Sequence, residues 1–262
     1  MDIRQFYGDK NEKPLDRIVS DGGFCAIFRT IGCIGDSLSS GEFESLSEEG
    51  IKGYHDFYEY SWGQYMARTL GSKVYNFSCG GMTAKGFIND FYAKCGAFKY
   101  ENLCQCYIIA LGVNDINQNW EIGKASDISA ERKAPDDETI IGYYAEIIRN
   151  LRRKQPGAKI FLMTLPKSSI QEKERAEKYD VLSEEIRGLA NIFKNTYILD
   201  FNKYAPNYDQ EFHDNFFHGH MTPTGYLLTA KMVMSYIDYI IRNNPDDFKE
   251  VGFIGTPYKY SR

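Results

Sequence analysis

AIFRTIGCIGDSLSS (Ala26–Ser40) opens on a short apolar run, Ala26–Ile34, and stops at Gly35-Asp36-Ser37. A run of this length, rich in branched and aromatic residues and without strict alternation, suits a strand buried on both faces. Four later stretches read the same way: Lys73–Phe77, Cys106–Leu111, Lys159–Leu165 and Thr196–Leu199. Helical patterns lie between and after them. Phe57–Leu70 ends at Gly71, a plausible C-cap. Glu138–Lys154 stops before Gln155-Pro156-Gly157, and Ile170–Phe193 is long and charged. Thr222–Arg242 opens with a threonine cap followed by proline. Strands alternating with helices of this length require right-handed crossovers. The expected fold is α/β: a three-layer α/β/α sandwich around a five-stranded parallel sheet, as one domain over residues 1–262. The polar stretch Asn117–Asp137 is expected near the carboxyl ends of the strands. The tail Phe248–Arg262 is expected to pack back through Phe253, Ile254 and Tyr258.

Composition narrows the function. The chain has 262 residues, 43% hydrophobic and 26% charged, which suits a folded soluble domain and not a disordered one. A net charge of -5 without a clustered basic face speaks against nucleic acid as partner. Arg152, Arg153 and Lys154 read as the cationic end of a helix. No apolar run approaches the roughly 20 residues that span a bilayer, and Met1–Lys13 lacks the apolar core of a signal peptide. A cytoplasmic location is the expectation. The six cysteines form no CxxC pattern and read as small buried hydrophobes. Twenty tyrosines and 17 phenylalanines fit an aromatic core or a site for flat ligands, and composition does not choose.

Four blocks follow strands or precede the last helix. Gly35-Asp36-Ser37-Leu38-Ser39 places a serine at the rim of the sheet, and its plainer reading is an N-cap. It is not the Gly-x-Ser-x-Gly elbow, since Ser39 stands at the second glycine. Cys79-Gly80-Gly81-Met82-Thr83 allows a tight turn or a backbone N–H aimed at a ligand. Gly112-Val113-Asn114-Asp115 projects an amide, or forms an Asx turn. His218-Gly219-His220-Met221-Thr222-Pro223-Thr224-Gly225-Tyr226 offers a base for the serine proton.

Together the blocks resemble the SGNH (GDSL-type) hydrolase family, whose letters name a serine, a glycine, an asparagine and a histidine in this order. The resemblance spans Gly35 to Tyr226 and implies a flavodoxin-like sandwich and a serine esterase without a cofactor. Matched block by block, it places the nucleophile at Ser37, the oxyanion-hole donors at Gly81 and Asn114, and the base at His220. Gly225-Tyr226 lie at the offset that selects His220 over His218. One departure stands out: Phe217 occupies the position of the family's usual aspartate. Asp214 lies nearby at the wrong spacing and is a candidate third member of what otherwise reads as a Ser-His dyad. The implied substrates are short-chain or acetyl esters, including those of carbohydrates, as small molecules or glycans. Two alternatives stay open: a non-catalytic domain that binds a glycan or partner, and a metal site built from His213, His218 and His220.

Overall fold

Local sequence and layer packing together build the sheet that carries the four blocks. The computed structural model describes residues 6, 7, 9, 11–132 and 137–261. Its strands are β1 (Thr30–Gly35), β2 (Glu42–Leu46), β3 (Lys52–Asp56), β4 (Lys73–Ser78), β5 (Cys106–Ala110), β6 (Lys159–Met163), β7 (Thr196–Leu199), β8 (Phe217–His218) and β9 (His220–Met221). Five of them pair in parallel in the order β4-β1-β5-β6-β7. This is the α/β sandwich read from the strand runs. The strand order reverses between β1 and β5, and the crevice at such a reversal is where open α/β sheets bind ligands.

Side chains alternate across the sheet, so each strand feeds two cores. Tyr107 and Ile109 of β5 join one, with Ile34, Ile160 and Leu162. Cys106 and Ile108 join the other, with Ile31, Cys33 and Phe161. Helices Ile140–Lys154 and Lys173–Ile192 close the first core. Helices Trp62–Leu70 and Pro223–Asn243 close the second. With apolar layers on both sides, the strands have no polar face, which is why their sequences lack alternation.

Some boundaries differ from expectation. Residues Gly23–Ile27 wind into a 3-10 turn, so the first strand starts at Thr30 and not at Ala26. The helix expected from Phe57 starts at Trp62, because the Ser61 side chain caps it by accepting from the Gln64 N–H at 3.2 Å. The stretch Asn117–Asp137, of which 133–136 lie outside the described residues, does not stay at the carboxyl edge. It runs down the helical layer, where the Ser129 carbonyl accepts from Arg149 Nη2 at 2.7 Å in the middle of helix Ile140–Lys154. In the tail, Phe248 and Val251 enter the second core and Ile254 packs on it. Tyr258 instead stands 68% exposed. All six cysteines are free thiols, four of them buried. No helix among the described residues is long and apolar enough to cross a membrane.

Two small hairpins lie outside the main sheet. Strands β2 and β3 pair antiparallel, Glu42 opposite Asp56. Strands β8 and β9 pair antiparallel, with Phe217 opposite Met221. Both stand at the carboxyl edge, and β2 packs against β9.

Candidate active site

The turns after β1, β4 and β5 are laced together by side chains. After β1 the chain makes one helical turn, Ser37–Ser40. Asp36 caps it from a buried position, its Oδ1 accepting the Leu38 N–H at 3.0 Å. Ser37 is the first residue of that turn and is half-buried. After β4 comes Gly81 at φ +70°, a conformation that favours glycine although a Cβ there would meet nothing. After β5, Asn114 donates from Nδ2 to the Met82 carbonyl at 3.2 Å and lies 3.4 Å from Asp36 Oδ2. The next residue, Asp115, accepts the Ala84 N–H at 3.0 Å. Ser37, Gly81 and Asn114 are thus held at one edge by bonds between their own loops.

Burying these carboxylates disfavours their charge, while the N–H bonds favour it. Burial pushes the Asp36 carboxyl up to about 7, against the opposing pull of the Leu38 N–H. The nearby Asp115 and Glu42 carboxylates raise it further. Burial pushes Asp115 up to about 6. Both act as braces, since their hydrogen bonds go to backbone N–H groups of the turns.

His220 arrives from the other direction, on the β8–β9 hairpin just before the Thr222 cap of the last helix. Its Nε2 lies 3.0 Å from Oε1 of Glu42, and both side chains are largely buried. Glu42 opens strand β2 and was not singled out from the sequence. Burial raises its carboxyl, and a charged His220 would pull it down. Gly80 makes room for this carboxylate: a Cβ there would stand 2.2 Å from Glu42 Oε2. The Tyr226 hydroxyl donates to the Glu42 carbonyl at 2.7 Å and lies 3.3 Å from the Ser37 carbonyl, so one buried tyrosine ties the two segments. The exposed ring of Tyr54, on β3, stands edge-on to His220 with centroids 5.7 Å apart.

Other expected residues are placed elsewhere. Asp214 is exposed on helix Gln210–Phe216, accepts from Gln210 Nε2 at 2.7 Å and makes no bond to His220. Phe217 stacks on His213 and packs at a tilt against Tyr208 and Phe212. His218 is exposed, and no group of three His, Cys, Asp or Glu among the described residues could hold a metal ion. Among the described residues no hydrogen bond joins Ser37 Oγ to His220, a contact that free enzymes often complete only with substrate. His220 Nδ1 is buried without a partner.

Beside this edge lies a small cavity of about 70 Å³ with almost wholly apolar walls. Leu38, Val113 and Met221 line it, each next in sequence to Ser37, Asn114 or His220, and Trp62 and Phe201 line it from the core.

Glu42 and Tyr54 had a faint signal. Glu42-Phe43-Glu44 alternates directly after the serine turn, which suits a strand with one wet face. The Tyr226 hydroxyl bond had none, because it spans 184 residues.

The model of the family described as GDSL-like Lipase/Acylhydrolase matches residues 33–228. Among solved structures, the chain is similar to a family two carbohydrate esterase from Clostridium thermocellum in complex with cellohexaose. That match has 17% identity and a TM-score of 0.58, covering 90% of this chain and 66% of the other. It is also similar to a possible lipase from Chitinophaga pinensis DSM 2588, at 17% identity and a TM-score of 0.56, covering 82% and 98%. A third is the acetyl xylan esterase AlAXEase, at 15% identity and a TM-score of 0.52, covering 79% and 99%. No curated protein matches in sequence.

Proposed function

The chain belongs to the GDSL-like Lipase/Acylhydrolase family, and from that premise we propose that it is a serine esterase with Ser37 as nucleophile and His220 as general base. The observation that carries this reading is the lacing of the Ser37, Gly81 and Asn114 turns at the edge that His220 also reaches. In the proposed reaction Ser37 Oγ attacks the ester carbonyl carbon while His220 takes its proton. The backbone N–H groups of Ser37 and Gly81 and the Asn114 amide receive the oxyanion, each donor contributing roughly 3 kcal/mol in the transition state. The histidine proton then passes to the leaving alkoxide. Water, activated by the same imidazole, releases the acid and restores Ser37.

The proposed substrates carry short acyl groups, acetyl foremost. The support is size: the apolar cavity lined by Leu38, Val113 and Met221, the sequence neighbours of Ser37, Asn114 and His220, holds only about 70 Å³. A carbohydrate alcohol is the proposed leaving group. The exposed Tyr54 ring beside His220 supports it, as do the carbohydrate esterase and acetyl xylan esterase among the structural neighbours.

The test is hydrolysis of p-nitrophenyl acetate by the wild type, Ser37→Ala and His220→Ala, with circular dichroism to confirm folding. Loss of turnover in both folded variants is the expected result. Wild-type turnover that survives in Ser37→Ala would reject the nucleophile. A series from acetyl to long-chain esters, and then acetylated saccharides, tests the substrate. A preference for long chains would reject the acyl assignment.

A further inference from the structure

We propose that Glu42 is the positioning residue of His220, supplying from strand β2 the carboxylate that Phe217 does not. The proposal rests on the reading of Ser37 and His220 as nucleophile and base. Its first ground is elimination among the carboxylates near the imidazole. Asp36 caps the Leu38 N–H, Asp56 takes the Ser40 hydroxyl, Glu44 pairs with Lys52, and Asp214 takes the Gln210 amide. Glu42 is the one that meets the ring, at 3.0 Å from Nε2. Its second ground is construction. Tyr226 pins the Glu42 backbone, and Gly80 leaves space for the carboxylate beside the Gly81 turn.

The contact determines which nitrogen carries the proton. A carboxylate only accepts, so it draws the single N–H of neutral imidazole to Nε2. The lone pair then stays on Nδ1, the buried ring nitrogen without a partner. The turn that carries Ser37 packs against β9. In the proposed step Nδ1 takes the Ser37 hydroxyl proton as Oγ bonds to the acyl carbon. The resulting imidazolium keeps its Nε2–H on Glu42, and the Nδ1 proton leaves with the departing alkoxide. Glu42 itself neither gains nor loses a proton. The nitrogens thus exchange the roles they hold in a Ser-His-Asp triad, where Nδ1 faces the acid.

The test uses the full chain and two readouts. Histidine 15N resonances, recorded at about pH 8 where an unperturbed imidazole is neutral, report the tautomer without any substrate, and loss of a signal set in His220→Ala identifies His220. The Nε2–H tautomer is expected in the wild type, with mixed tautomers in Glu42→Ala. In turnover, Glu42→Ala is expected to lower kcat by on the order of 10³–10⁴, the scale seen when a triad loses its orienting acid. Glu42→Gln keeps an acceptor without the charge and is expected to fall between, with KM little changed in both. An Nδ1–H tautomer in the wild type, or Glu42→Gln and Glu42→Ala both turning over like wild type, would overturn the proposal. Failure of the esterase reading looks different: turnover then survives in Ser37→Ala, whatever Glu42 does.

Discussion

The two halves of the candidate site are built in different ways. Ser37, Gly81 and Asn114 hang from β1, β4 and β5, which are buried on both faces and braced by Asp36 and Asp115. His220 and Glu42 hang from two short hairpins outside that sheet, joined by their own 3.0 Å contact, the Tyr226 hydroxyl and the Ser40–Asp56 hydrogen bond, with Met221 and Phe43 reaching the second core. The first half derives its geometry from the hydrophobic core, so its parts are difficult to move separately. The second adds only a few core side chains, chiefly Met221 and Phe43, and aligns His220 with Glu42 through polar contacts, so a single polar side chain can shift that alignment without disturbing the fold. The two should therefore fail differently, one in stability together with chemistry and the other in chemistry alone.

Four substitutions can sharpen or break that contrast. The largest effect is expected from Asn114→Ala on the sheet side. Steady-state kinetics should show kcat lower by about 10²–10³, or roughly 3–4 kcal/mol, with KM little changed. An unchanged kcat would take Asn114 out of oxyanion binding. Next is Asp36→Asn, read as thermal stability against pH. The Asp36 carboxyl is raised from 3.8 to about 7 in the folded protein. Its contribution is therefore present below about pH 4 and is lost as pH rises through 7, because the folded state binds the extra proton in that window. Asparagine keeps an oxygen for the Leu38 N–H and has no charge to bury. It should remove about 2–3 kcal/mol of the wild type's loss between pH 5 and pH 8. Identical pH profiles would mean that Asp36 is not the buried acid described here.

Gly80→Ala, in the turn after β4, should act on the hairpin half by pushing the Glu42 carboxylate off its position, since the new Cβ would lie 2.2 Å from Oε2. About tenfold lower turnover with an unchanged melting temperature is expected, and a fold-wide loss of stability would erase the contrast between the halves. The smallest effect is expected from Thr222→Ala, which removes a cap whose oxygen accepts the Gly225 N–H at 3.3 Å. About 1 kcal/mol of stability should be lost in chemical denaturation.

The same contrast explains what could be read from the sequence. Strands buried on both faces leave continuous apolar runs, and Cys106–Leu111 and Lys159–Leu165 announce themselves. The loop blocks follow those strands directly, so their positions come with the strand reading. The β2–β3 hairpin leaves almost no such trace. Leu46 stands 65% exposed, Ile51 68% and Tyr54 55%, so period and burial do not coincide there. Asp214 was the natural candidate for a histidine partner because it is near in sequence. The helix Gln210–Phe216 holds it at the surface, while Phe217 joins an aromatic cluster. Glu42 lies 178 residues from His220 in the chain, and only tertiary structure brings them together.

Only four residues lie between Ser37 and Glu42, and the single turn Ser37–Ser40 supplies three of them. On the proposed reading of Ser37 and Glu42, nucleophile and acid are therefore inherited as one cassette, whereas an acid placed just before the histidine would be inherited with the base at the other end of the chain. Recombination that exchanged the C-terminal third of this protein for that of a relative would bring in a new base yet leave its acid behind at home. A relative with both acids would tolerate such an exchange, and one that had already given up its upstream glutamate would depend on the imported segment for its own.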